Sequence, residues 1–395
     1  MIRFINITSG TLFILVLNLS CSQNLLESES SLIPVTTSVT GKKISDILSV
    51  TGFTALQSDP SFQLKGINKL LFSNGDIFIL DNGTDFQNIW LVDEKTGRFK
   101  GRIGKQGNGA EDYEGLNDIA LDEDKRLVCS VAGKMSLMRY DQAGNMTDAI
   151  KTGVFGEEVE ARKEGFVVYN EYNATDISGL HHLLFYDRRG NLVGRAFPYP
   201  EKQDGNGFAF TGFLSGSNGQ IWFNPAFSDT VYEISGQHII PRYVFNFGSA
   251  RLPAGLREEK LSGWDAHDYS YLDENFIKTG RFLVFGYFDH RKIKLGVFDE
   301  STAKFLGFQD AEKDYLYELV QLGDLYPKGP DSFALVLRPS RILYLMKNNL
   351  LDMAAIAENQ PELAAALKNI DSKSNPLILY LAFNPEAQIE DQVLR

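Results

Sequence analysis

Cysteine is nearly missing from this chain: there are two in 395 residues, Cys21 and Cys129. No disulfide framework can be built from them once Cys21 is committed elsewhere, and Cys129 sits in the strand-like run Arg126–Val131, where a small buried hydrophobe is the expected role. Histidine is almost as sparse, with His181, His182, His238, His267 and His290 only. There is no HExxH, no Cys/His cluster and no EF-hand loop, so neither a metal nor another cofactor is expected. No Gly-x-Ser-x-Gly elbow is present, and Gly107 and Gly109 in GKQGNG lack the strand and helix that would make them a phosphate cradle. Lys/Arg blocks are missing too, and the net charge of −12 excludes nucleic acid as a partner, since that binding depends on cations neutralising phosphates. Past the N-terminus no apolar run approaches the roughly 20 residues of a spanning helix.

The first twenty residues have the layout of a secretion signal. A weakly positive start at Met1–Arg3 precedes the apolar run Leu12–Leu17, and Ser20 stands just before Cys21. Leu19-Ser20-Cys21 resembles a bacterial lipobox, which implies cleavage before Cys21 and its acylation. Residues 1–20 are then a signal peptide and 21–43, rich in Ser, Thr and Glu, a flexible lipidated tether, with the membrane reached through the lipid alone.

Self-similarity dominates what remains. NIWLVDEKTG, SLMRYDQAG, HLLFYDRRG, TVYEISG and KLGVFDEST recur, and taking Asp93, Asp141, Asp187, Ser235 and Asp299 as equivalent gives separations of 48, 46, 48 and 64 residues. A period near 48, made of short alternating strands between Gly, Asn and Asp turns, marks a propeller blade and not a helical solenoid. One unit reads in full: Asn117–Asp122, Arg126–Val131, Ser136–Asp141 and Met146–Thr152, innermost to outermost. Units from Ile67, Glu158, Phe210 and Phe276 bring the count to five. A sixth would use Ser332–Leu337, Ile342–Met346 and Pro376–Phe383, and Thr51–Gln57 is expected to join it and close the ring, because an open ring leaves sheet edges bare.

The fold expected for residues 44–395 is therefore an all-β, six-bladed propeller of four-stranded antiparallel blades, closed by an N-terminal strand. Residues 248–275 lengthen one connection. Residues 350–370, LLDMAAIAENQPELAAALKNI, form a helical insertion with Pro361 starting a helix after Asn359.

GRIGKQGNGAEDYEGLNDIALDEDKRLVCSVAGKMSLMRYDQAGN resembles an NHL-type blade. Together with SDTVYEISGQHIIPRYVFNFG and the closing Asn375–Tyr380, it is similar to the TolB-like six-bladed propeller lipoproteins of Bacteroidetes over about residues 43–385. Where that family often has Gly-x-Gly-Pro-Gly-Glu-Tyr, this chain has Gly107 to Tyr113 with Ala110 in place of the Pro and Glu111 in place of the following Gly. The resemblance implies a lipoprotein of the cell envelope; because Ser22, Gln23 and Asn24 after Cys21 lack the dense acidic cluster associated with surface export, attachment to the outer membrane facing the periplasm is expected rather than the cell surface.

Function in such scaffolds gathers in loops on one face, those leading into each inner strand and those joining second and third strands. These loops contribute Asp85, Phe86, Tyr113, Tyr172, Phe227, Trp264, His267, Tyr269, His290 and Arg291, a mixture of aromatic faces and directional polar groups suited to a sugar or a peptide. Carboxylate pairs such as Asp122 with Asp124 and Glu157 with Glu158 read as turn residues, not catalytic ones. The expectation is a monomeric, non-catalytic propeller binding a glycan, peptide or envelope protein. The alternative is a hydrolase or lyase acting on a carbohydrate or ester at the channel mouth.

Overall fold

The computed structural model describes residues 30–59, 62–83, 85–205, 213–217, 219–253, 268–321 and 324–390. Six sheets surround a central channel. Blade one runs Lys69–Ser73, Asp76–Gly83, Phe86–Asp93 and Phe99–Arg102 from the inside outward, and blade two Leu116–Leu121, Leu127–Val131, Ser136–Tyr140 and Met146–Lys151. Blade three spans Glu158–Pro198, blade four Phe213–Asn246 and blade five Ser270–Gly307. Blade six is assembled from both ends of the chain: Asp324–Gly329, Ser332–Leu337 and Leu377–Phe383, with Leu48–Ala55 as its outermost strand, antiparallel to Leu377–Phe383.

The ring follows from strands that are apolar on both sides. In LVCSV and GFVVY every residue is buried, and neighbours along a strand serve different interfaces. Val128 packs toward blade three while Leu127 and Cys129 pack toward blade one; Val167 faces blade four while Phe166 and Val168 face blade two. Each of the six blade–blade contacts thus has its own hydrophobic core, and each blade is buried only because it has two neighbours.

Three expectations need correction. Ile342–Met346 is not a strand but part of the helix Pro339–Lys347, and the inner strand of blade six is Asp324–Gly329. A short apolar run is ambiguous between the two periods; here Pro339 in the first helical turn and the three-residue spacing of buried Ile342 and Leu345 settle it. Blade five begins at Ser270, earlier than Phe276, and its first strand shifts register between Leu272 and Phe276. The irregular tether does not extend to Lys43. Ser31–Pro34 is a strand that pairs in parallel with His238–Asn246, the outer strand of blade four, with Ile33 fully buried. The chain then touches blade five, where the Val39 amide donates to the Phe305 carbonyl at 2.9 Å, before reaching blade six. This strap covers an edge that would otherwise present unpaired backbone groups.

The helices Met353–Asn359 and Pro361–Lys368 occupy the expected insertion, between the second and third strands of blade six. Asp352 caps the first by accepting from the Ala354 and Ala355 amides, and Ile356, Leu363 and Leu367 complete the core between blades five and six. Among the described residues no helix is long and apolar enough to cross a membrane.

Candidate functional site: an acidic channel in two chambers

Inner strands supply the channel wall. Each is mostly apolar, and where a charged residue interrupts the pattern near the strand start, alternation turns it toward the axis: Lys69 in KLLFS, Asp118 in LNDIAL, Glu158 and Glu160 in EVEAR. The Lys69 ammonium from blade one bridges Asp118 Oδ2 of blade two at 2.9 Å and Glu160 Oε1 of blade three at 3.0 Å. Asp118 Oδ2 also accepts from the Val159 amide at 2.9 Å, and Glu158 Oε2 from the Leu214 amide of blade four at 2.5 Å. Blade four approaches closely enough that any side chain at Gly216 would overlap the Glu160 carboxylate.

These groups divide the channel. On the face formed by the hairpin turns lies a chamber of about 890 Å³, rimmed by Glu123, Lys163, Gly219 and Lys328. On the face of the inner-strand and second-to-third-strand loops lies a smaller one of about 210 Å³, lined by Asn68, Asn117, Glu157, Glu158, Tyr169 and Glu171. Asn68, Asp118 and Glu158 contribute to both.

Electrostatics follow from crowding carboxylates around one cation. Burial alone would lower the Lys69 pKa, but attraction to Asp118 and Glu160 outweighs it and holds the ammonium above the ordinary lysine range. Burial pushes the Glu158 carboxyl well up, with repulsion from Asp118 adding to it, and raises Glu160 and Glu157 as well. Glu171 is pushed up to about 7 by burial and by the nearby Glu157 and Glu274. Because the folded pKa exceeds the unfolded one, this carboxyl costs stability increasingly as pH rises from 4.5 through 7. Glu171→Gln should therefore be more stable than the parent by about 2 kcal/mol at pH 8, allowing for partial solvation, and indistinguishable from it below pH 4. Denaturant midpoints of both proteins across that range check the sign.

Of the sequence-predicted residues, those that are described lie on the loop face, and none of them lines either chamber. Asp85 is exposed, and Phe86 is half-buried beneath the Lys65 ammonium, 4.4 Å from the ring centroid. Tyr113 is 0% exposed between blades one and two. Tyr172, 8% exposed, packs edge-on to His182 and Tyr199, and Phe227, 5% exposed, edge-on to Tyr271, with Tyr269 half-buried against the same cluster. His290 and Arg291 are exposed; His290 Nδ1 lies 2.7 Å from Asp289 and Arg291 3.8 Å from Asp268. Trp264 and His267 fall outside the described residues, as do Cys21 and the expected signal peptide. The buried aromatics are spent on one another and form no open stacking platform. Among the described residues no group of three or more His, Cys, Asp or Glu is arranged to hold a metal ion.

Fold and channel define the class: a closed six-bladed β-propeller with a carboxylate-rich, partitioned axis. The chain belongs to the family described as "Domain of unknown function (DUF4934)", whose pattern matches residues 31–382. Among solved structures it is similar to a "Putative exported protein" from Bacteroides fragilis NCTC 9343, at 15% identity and a TM-score of 0.72 over 90% of this chain and 99% of that one. A DUF4221 family member from Bacteroides vulgatus aligns at 9% identity and a TM-score of 0.49, covering 85% of this chain and 97% of that one. The PQQ-bound aldose sugar dehydrogenase of Streptomyces coelicolor aligns at 16% and 0.45, covering 85% and 98%. No curated protein matches the chain.

Proposed function

We propose that the protein is an envelope lipoprotein, acylated at Cys21 and held at the outer membrane facing the periplasm, that acts as a monomeric binding propeller for a basic peptide segment in its central channel. The observation that carries the ligand class is the channel partition, where Asp118 and Glu160 bridge the Lys69 ammonium and Glu158 stands beside them. Such a wall favours groups that bring positive charge and several hydrogen-bond donors. A glycan is the weaker choice, since Tyr113, Tyr172 and Phe227 are buried and offer sugars no face to stack on. The Leu12–Leu17 run and the Ser20-Cys21 junction support the lipid anchor.

Calorimetric titration of the soluble form beginning at Ser22 with Lys/Arg-rich, neutral and acidic peptides, and with soluble glycans, tests this. Basic peptides should bind, and Asp118→Asn should weaken them about tenfold, close to 1.4 kcal/mol, while its amide oxygen still accepts from the Val159 amide. Equal binding of all peptide classes, or an unchanged affinity in the variant, overturns the reading.

A second reading draws on Glu171, whose pKa of about 7 beside Glu157 suits a general acid or base at the mouth of the smaller chamber. Turnover of glycoside or ester substrates that disappears in Glu171→Gln would select it.

A further inference from the structure

We infer that the propeller sits on its membrane with the hairpin face, and hence the mouth of the larger chamber, turned toward the lipid. The inference rests on the anchoring at Cys21 proposed above and adds the direction of attachment. In each blade the first and third strands run toward the hairpin turns and the second and fourth run away from them. The outer strand of blade four, His238–Asn246, therefore leaves the hairpin face, and Ser31–Pro34 lies parallel to it, Ser31 opposite Tyr243 and Pro34 opposite Asn246. Traced backward, the chain thus heads from Ser31 toward the hairpin turn Ser235–His238.

Lengths agree with this. Tyr243 is five residues beyond His238, so Ser31 stands about 17 Å from the level of that turn. Ten residues separate Cys21 from Ser31, which reach at most about 35 Å. That span clears the hairpin face and leaves roughly half its length in hand. Reaching lipid beyond the opposite face would require the chain to reverse at Ser31 and pass the loops that project there.

Charge is a second, independent observation. On blades three and four the hairpin face exposes Lys163, Arg188 and Arg189 beside Glu164, whereas the loop face exposes Asp176, Glu201 and Asp204 beside Lys202 and Arg251, the last paired with the buried Asp229. Anionic phospholipid attracts the basic excess of the first face and repels the acidic excess of the second. The membrane is thus the occupant that fits the hairpin face of these blades, and a ligand for the larger chamber is presented from the membrane side.

The test uses the full-length acylated protein in vesicles of phosphatidylethanolamine and phosphatidylglycerol carrying head-group nitroxides. Two exposed positions accept a fluorophore through a new cysteine, Gln237→Cys at the blade-four hairpin and Asp176→Cys on the loop face; Cys129 is buried and unreactive. Fluorescence at position 237 should be quenched several-fold more strongly than at 176, with the difference shrinking in high salt. Equal quenching at both positions, or stronger quenching at 176, overturns the orientation. The mass of the N-terminal peptide and flotation with vesicles are read on the same samples. An unacylated Cys21 or failure to float sinks the anchoring reading, whereas acylated, floating protein with reversed quenching sinks only the orientation.

Discussion

Removing residues 44–57 should abolish cooperative unfolding. That segment contributes the outermost strand of blade six and buries Ile44, Ile47, Leu48 and Leu56 at 5% exposure or less. At about 2 kcal/mol for each of these four buried aliphatic side chains, the apolar loss alone is about 8 kcal/mol, comparable to the whole net stability of a typical domain. The Thr54 hydroxyl, 2.7 Å from the Tyr380 hydroxyl, goes with it. The larger effect is topological. The remaining blades still stack pairwise, but Leu377–Phe383 becomes an open edge and the strap from blade four no longer connects to blade six. A broad, low-enthalpy calorimetric transition is expected; a single sharp one near the parental temperature would show that the ring closes without this strand.

Lys69→Met should cost about 3–5 kcal/mol at pH 8. The ammonium is the cation shared by Asp118 and Glu160, and its removal leaves carboxylates facing one another in a desolvated channel. In the parent protein Lys69 stays charged throughout ordinary pH, because its folded pKa lies above the unfolded one and its contribution is lost only at strongly alkaline pH. The variant behaves differently. Its Glu160 carboxyl, already raised by burial, is driven further above its unfolded value once the cation is gone, so stability should recover as pH falls and it takes up a proton. Urea midpoints at pH 8 and pH 5 measure this: the deficit should shrink markedly at the lower value. A deficit independent of pH would mean that lost packing, not unpaired charge, causes it.

Blade number was legible because the repeated turn has a local mechanism. Asp93, Asp141, Asp187 and Asp299 each accept, through Oδ1, the amide of a residue two or three positions on, and hydrogen bonds hold the first three carboxyls below the ordinary range. Ser235 fills the equivalent position in blade four, where strand pattern and spacing alone maintained the repeat. The candidate site was only partly legible. Assigning Tyr113, Tyr172 and Phe227 to loops gives their face of the disc, but whether a loop side chain turns toward the axis or into the blade interface depends on neighbours that the repeat does not encode. The channel carboxylates carried a readable signal, a charge interrupting an inner strand, which for Glu157 and Glu158 was masked by their resemblance to turn residues.

The sequence by itself determined what short-range chemistry controls: strand alternation, the hairpin turns, the helix begun at Pro361 and the number of blades. Tertiary structure decided the rest. Ser31–Pro34 found a parallel partner some two hundred residues away, and Lys69 found Asp118 and Glu160 across separations of 49 and 91 residues. Such contacts exist only after the ring has closed and brought distant strands to one axis. No local pattern announces them, because the loop-closure entropy they overcome is repaid by the packing of all six blades together.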